Sequence, residues 1–140
     1  MLYNSLSAFE AADIAWRWPH FSAAELSCKC GGKHCEGEYF HDEDFLDGLE
    51  RLRALCGRPL SINSGHRCEG HNKAVGGAEH SRHLEVAADI SLRGHDRKVI
   101  RPAAIKAGFH GIGLGKTFIH VDRRPQLTVW YYPGSPKLWN

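Results

Sequence analysis

Phe118-Ile119-His120-Val121-Asp122 alternates in a way that sets the fold and points to its chemistry. Side chains on a strand point to opposite faces in turn, so Ile119 and Val121 share one face and Phe118, His120 and Asp122 the other. A histidine and an aspartate therefore stand together on one side of a strand. Upstream, Ala87-Ala88-Asp89-Ile90 places a single carboxylate in a run otherwise composed for burial. Burying an unpaired carboxylate is costly, so Asp89 needs a partner. A metal ion satisfies both strands if a third ligand lies near, and His80-Ser81-Arg82-His83 offers one. Two neutral imidazoles and a carboxylate around one open position form a donor set of catalytic zinc, where the ion draws the pKa of water down to about 7.

Working outward, residues 42–56 predict the clearest helix. Phe45, Leu49, Leu52 and Cys56 fall on one face, Leu46 and Leu55 broaden it, acids open the helix, arginines close it and Gly57 stops it. Leu60 to Ser64 alternates as a half-buried strand, Glu69 to Val75 predicts a short helix ended by Gly76-Gly77, and Val86 to Leu92 a second strand. His95 to Ala107 is helical in composition, and Pro102 predicts either a kink or a helix beginning near it. Further strands are expected over 111–114, 117–123 and 127–132, with a tight turn at Gly115-Lys116. Trp130, Tyr131 and Tyr132 on the last of these are expected in the core and at the sheet edge. Residues 1–41 read as an irregular lead-in with short helical pieces, one over 11–16 and one opened by Ser22 with Glu25 three places on. Residues 133–140 read as a loosely ordered tail. The expected fold class is α+β, a small antiparallel sheet flanked by helices, in a single domain over residues 1–140.

A chain of 140 residues can bury a core without disulfides or oligomerisation, and a monomer is expected. Its 18 Lys and Arg are interspersed with 16 Asp and Glu, so the basic stripe of a nucleic-acid binder is missing. No apolar run is long enough to span a bilayer, and the first residues lack the basic-then-apolar pattern of an export signal. Of the ten histidines, His20, His34, His41 and His95 read as bystanders, and His66 and His71 as structural residues near Arg67. Cys28, Cys30 and Cys35 cluster in a Gly-rich loop beside His34. Thiolates and imidazole suit a structural zinc, but the spacing is not that of a standard zinc finger. Free thiols are the leading expectation for this loop, with a second structural ion or a local disulfide as the alternatives.

Several stretches resemble, in order, the motifs of the zinc D-alanyl-D-alanine carboxypeptidase family. They are Ser64-Gly65-His66-Arg67, His71-Asn72-x-Ala74-Val75-Gly76-Gly77-Ala78, Ser81-x-His83, Ala87-Ala88-Asp89-Ile90, Gly108-Phe109-x-Gly111-Ile112-Gly113 and Phe118-Ile119-His120-Val121-Asp122. The lead-in Phe21-Ser22-x-x-Glu25-Leu26-x-Cys28-x-Cys30-Gly31 is similar to the family's opening, and the resemblance spans residues 19 to 124. That family includes phage L-alanyl-D-glutamate endopeptidases and shares its fold with the hedgehog signalling domain.

The resemblance implies one catalytic zinc ion on His83, Asp89 and His120. It implies that Arg67 binds a substrate carboxylate or steadies the oxyanion, a task suited to a planar, permanently charged fork, and that Ser81 helps to position the substrate. The implied reaction is hydrolysis of a peptidoglycan stem peptide, by removal of a terminal D-Ala or cleavage of an internal L-Ala-D-Glu bond. A phage or prophage lysis enzyme, made in the cytoplasm and released to the wall or carried on a virion, is the implied setting. The alternative is a non-catalytic zinc-binding or structural module of the same fold.

The chain departs from the family pattern twice. Five residues separate His83 from Asp89 where the pattern has six, which leaves His80 as an alternative ligand. The positions at which relatives carry a general base hold Thr117 and Gly115. Asp122 is the first substitute, either as base or as the acceptor that fixes an imidazole tautomer, with His110 next and Glu85 third.

Overall fold

The computed structural model describes residues 1–140. In chain order the elements are β1 (Leu2–Tyr3), α1 (Leu6–Ala11), α2 (Ala23–Leu26), β2 (Tyr39–Phe40), α3 (Glu43–Cys56), β3 (Ile62–Ser64) and α4 (Glu69–Ala74). A 3₁₀ turn (Arg82–Leu84) leads into β4 (Ala87–Ser91), α5 (Arg97–Lys106), β5 (Gly111–Leu114), β6 (Phe118–Asp122), β7 (Thr128–Tyr131) and α6 (Pro136–Trp139). The class is α+β, as the sequence leads one to expect.

The main sheet has the order β3-β4-β6-β5-β7, with every pair antiparallel except β5 and β7. The sheet is thus mixed rather than wholly antiparallel. After β6 the chain passes the start of β5 through residues 123–127 and lays β7 along the far edge of β5, parallel to it. Alternation sorts the faces as expected. Ile90, Ile119 and Val121 are fully buried against α3 and α5, which contribute Phe45, Leu49, Leu52, Ile100 and Ala104 to the same core. Asp89 and His120 point to the other face.

Helix α3 begins on an Asp42 cap that accepts from Phe45 N–H at 2.9 Å and ends on Gly57, whose φ of 65° is the left-handed conformation of a glycine stop. Ser22 and Glu25 form a reciprocal capping box on α2. Helix α5 runs through Pro102 from an Asp96 cap rather than beginning near the proline. Because Pro102 is exposed, water can serve the carbonyl that its missing N–H leaves unpaired. The first helical piece lies over Leu6–Ala11, earlier than the 11–16 expected, and residues 1–41 also add the short β1–β2 pair. Phe9, Trp18 and Tyr39 are buried there and join the main core.

The tail is fastened rather than loose. Ser135 is fully buried and donates its hydroxyl to Leu114 O at 2.6 Å, while Trp139 Nε1 donates to Gly115 O at 2.8 Å. Both anchors fall on the end of β5, so the last residues brace the edge on which β7 is laid.

Candidate metal centre and its cleft

Asp89 and His120 are direct cross-strand partners in the β4–β6 register. His83 reaches them from the 3₁₀ turn, whose first N–H bond is made by Ser81: its Oγ accepts from His83 N–H at 3.2 Å. The short loop closes on His83 through Glu85, which takes an unusual backbone conformation, φ −120° and ψ −97°. His80 stays exposed on the rim, apart from the three converging donors.

Three donor atoms meet. His83 Nε2 lies 3.1 Å from Asp89 Oδ1 and 3.2 Å from His120 Nδ1, and His120 Nδ1 lies 3.0 Å from Asp89 Oδ1. A tetrahedral ion holding N and O donors at about 2.0–2.1 Å separates them by about 3.3 Å, so the triangle has nearly the size of one face of a zinc site.

Each donor is aimed by a second contact at its remote atom. His83 Nδ1 lies 2.6 Å from Gly65 O and His120 Nε2 lies 2.7 Å from Asp122 Oδ2. A carbonyl and a carboxylate only accept, so those two nitrogens carry the protons and the facing nitrogens present bare lone pairs. Asp89 Oδ2 is held by Arg67 Nη2 at 3.4 Å, leaving Oδ1 for the centre. Two lone pairs and a carboxylate oxygen facing one another repel unless a cation lies between them, so the residues present fit a divalent ion.

The electrostatics agree. Burial pushes the Asp89 carboxyl up, but the His120 and His83 imidazoles beside it outweigh that and hold the group well below the usual carboxylate range. Burial pulls His120 down, and Asp122 and Asp89 overcome it, so the imidazole sits above its ordinary value.

Asp122 is fully buried, and both of its oxygens are occupied. Oδ2 accepts from His120 Nε2 and from Arg124 Nη2 at 2.7 Å each, and Oδ1 accepts from Arg124 N–H at 3.0 Å and Nε at 2.9 Å. Of the two roles open to it from the sequence, this is the geometry of the acceptor that fixes an imidazole, not of a base facing the cleft. Burial raises its carboxyl, and Arg124 followed by His120 overrides that and holds it well below the usual range. His110 and Glu85, the other substitutes for the base, are exposed outside the cleft.

Two glycines make this arrangement possible. Gly111 on β5 faces Asp122, and a Cβ there would fall 2.0 Å from Oδ1. Gly113 faces His120 on one side and Trp130 on the other, where a Cβ would come within 2.7 Å of Tyr132 and 2.8 Å of Trp130. The Gly-x-Gly of β5 is thus space left for the carboxylate and the aromatic wall.

The triad opens into a cleft of about 610 Å³ that also receives residues 75–78, His80, Ser81, Arg82, Phe118, Arg124, Trp130 and Tyr132. Trp130 and Tyr132 therefore line the site instead of lying wholly in core and edge. The Trp130 ring lies 5.2 Å from the His120 ring, tilted against it, with the Arg124 guanidinium 4.6 Å from the indole centroid. Arg124 could have been found by extending the alternation of 118–122 one step further. Arg67 also faces the cleft, braced by Ser64 Oγ at 3.2 Å and Asn72 Oδ1 at 3.2 Å. Asp89 is the only acid in the lining, against three arginines, so the cleft suits an anionic ligand. His66 is buried, between Glu85 O at 2.7 Å and Glu38 Oε1 at 2.8 Å, and serves the scaffold.

An α+β domain whose His83, Asp89 and His120 donors converge at the base of a cleft presents a group able to hold a divalent ion. A family model described as Peptidase M15 matches residues 19–122, so the chain belongs to that family, the zinc D-alanyl-D-alanine carboxypeptidases. A search of curated proteins found no match. No helix is long and apolar enough to cross a membrane.

Proposed function

We propose that this chain hydrolyses peptide bonds in the stem peptides of bacterial peptidoglycan, with His83, Asp89 and His120 as zinc ligands. The observation that supports it best is the convergence of three bare donor atoms whose remote atoms are each tied to a fixed partner. Zinc bound there would polarise the scissile carbonyl and lower the pKa of water.

The chain's own residues do the rest. Arg67, rigidified by Ser64, Asn72 and Asp89, pairs with a substrate carboxylate or with the oxygen that gains charge as the carbonyl is attacked. A stem peptide supplies such carboxylates at its terminal D-Ala and its D-Glu. Asp122 keeps the proton on His120 Nε2 and is a positioning residue. Ser81 orients His83 through the 3₁₀ turn and borders the bound peptide. Proton transfer to the leaving amine falls to His80, the one imidazole that lines the cleft outside the triad. Trp130 and Tyr132 give the peptide an apolar wall.

The bond cut is the terminal D-Ala-D-Ala or an internal L-Ala-D-Glu bond, in a lysis enzyme of phage or prophage type. Mass analysis of products from defined muropeptides, with and without a chelator, tests both parts. Loss of one alanine marks the carboxypeptidase, and separation of L-Ala from D-Glu the endopeptidase. One observation favours a second reading: the cleft has no carboxylate other than Asp89 to act as base. On that reading the domain binds zinc and wall peptide without turnover, and zinc-loaded protein would leave every muropeptide intact.

A further inference from the structure

A second group of metal-ligating side chains lies away from the cleft. The Sγ atoms of Cys28, Cys30, Cys35 and Cys68 all lie within 4.8 Å of one another, with Cys30 and Cys35 3.5 Å apart. A tetrahedral zinc ion with Zn–S bonds of about 2.3 Å spaces its sulfurs by about 3.8 Å. The four sulfurs thus bracket the spacing of a closed tetrathiolate site. His34, the neighbour that the sequence offers as a fourth ligand, packs its ring against Gly70 instead. Cys68, 33 residues beyond Cys35, takes the place.

Each sulfur also receives one backbone N–H. Cys68 N–H donates to Cys28 Sγ, His34 N–H to Cys30 Sγ, Glu38 N–H to Cys35 Sγ and His71 N–H to Cys68 Sγ, all at 3.4 Å. Backbone donors aimed at every sulfur are the outer contacts that a metal-bound thiolate accepts. Cys28, Cys30 and Cys68 are buried and form a cluster of their own, separate from the main core, with Cys35 packed against it. The loop they hold, residues 28–38, has no helix or strand of its own and passes through Gly31, Gly32 and Gly37 at positive φ. Such a segment needs a tether.

We propose that Cys28, Cys30, Cys35 and Cys68 bind a second zinc ion as a structural tetrathiolate site, distinct from the ion in the cleft. Binding replaces four S–H protons by four Zn–S bonds and releases the protons to solvent, with no change of oxidation state. All four positions are filled by protein, so this ion is closed to substrate. Its role is to tie the N-terminal loop to the cap of α4, where Cys68 adjoins Arg67. Arg67 is held at its base by this knot and at its tip by Asn72 and Asp89.

The test uses the full chain carrying His83→Ala and His120→Ala, which removes the cleft site and leaves the thiols. After zinc loading and gel filtration, this variant is expected to retain one zinc ion per chain and wild type two. Cobalt in the variant should give thiolate-to-cobalt charge-transfer absorption. Alkylation of the zinc-loaded variant should reach Cys56 alone, and a chelator should open the other four cysteines. A variant that retains no zinc and alkylates equally fast with and without it would overturn the proposal, as would an intact mass showing disulfides in freshly purified protein. Cys30→Ser with Cys35→Ser should lower the zinc content of wild type from two to one. If that variant fails to fold, the His83→Ala/His120→Ala chain still decides. Failure of the peptidase reading would instead appear as absent hydrolysis with this second ion in place.

Discussion

His120 and Asp122, two residues apart on β6, are joined by a 2.7 Å hydrogen bond along one face of the strand, and that bond leaves His120 Nδ1 facing Asp89 Oδ1 and His83 Nε2. Replacing Asp122 by Asn leaves one accepting oxygen but removes the charge that Arg124 holds in place. Zinc affinity at the cleft, measured by competition with a chelator, is expected to fall about 10–100-fold. Unchanged affinity would mean that the His120 tautomer is set elsewhere.

Gly111 tests the same contact from the neighbouring strand. A methyl group there would meet both the Asp122 oxygens and its Cγ, within 2.0–2.3 Å. The clash involves a side chain held at four points, so it has no easy relief. Gly111→Ala is expected to destabilise the fold by about 1–3 kcal/mol in denaturant unfolding and to weaken zinc binding as well.

His80 is exposed and stands apart from the proposed ligands His83, Asp89 and His120, so its removal should spare both fold and zinc binding. His80→Ala is expected to lower kcat about 100-fold or more with zinc content unchanged, as befits loss of a proton-transfer group. Full activity in this variant would remove His80 from the mechanism and leave Arg67 with zinc as its core.

Stability against pH follows from the shifts. Asp89 and Asp122 are held below the usual carboxylate range, so their contribution is present above about pH 4 and is lost as pH falls through the folded values. His120 is shifted the other way. In metal-free protein its contribution is complete below about pH 6.5 and fades as pH rises through the raised value. Thermal unfolding of chelated protein should therefore show Tm rising with pH up to about 4 and declining above about 7. Zinc, which needs His120 Nδ1 bare, should abolish the upper decline. A flat profile in chelated protein would contradict the charge coupling.

Much of this was legible in the sequence because alternation is a local property. The pattern of 118–122 and of 87–90 carried the faces, and their pairing in the sheet then put Asp89 opposite His120. The cleft wall was not legible, for a reason of topology. Strand β7 runs parallel to β5 because of the path of residues 123–127, and that path brings Trp130 and Tyr132 beside the site. Likewise the composition of 133–140 suggests a loose end, yet one buried serine and one indole N–H fasten it. Cys68 shows the limit most clearly. Its partners lie more than thirty residues earlier, and no local spacing connects them.

Anomalous scattering at the zinc edge, from crystals grown with the metal, tests the central claim most directly. The account predicts a peak at about 2.0–2.2 Å from His83 Nε2, His120 Nδ1 and Asp89 Oδ1. The three side chains turned away from one another, with no peak among them at saturating zinc, would contradict it.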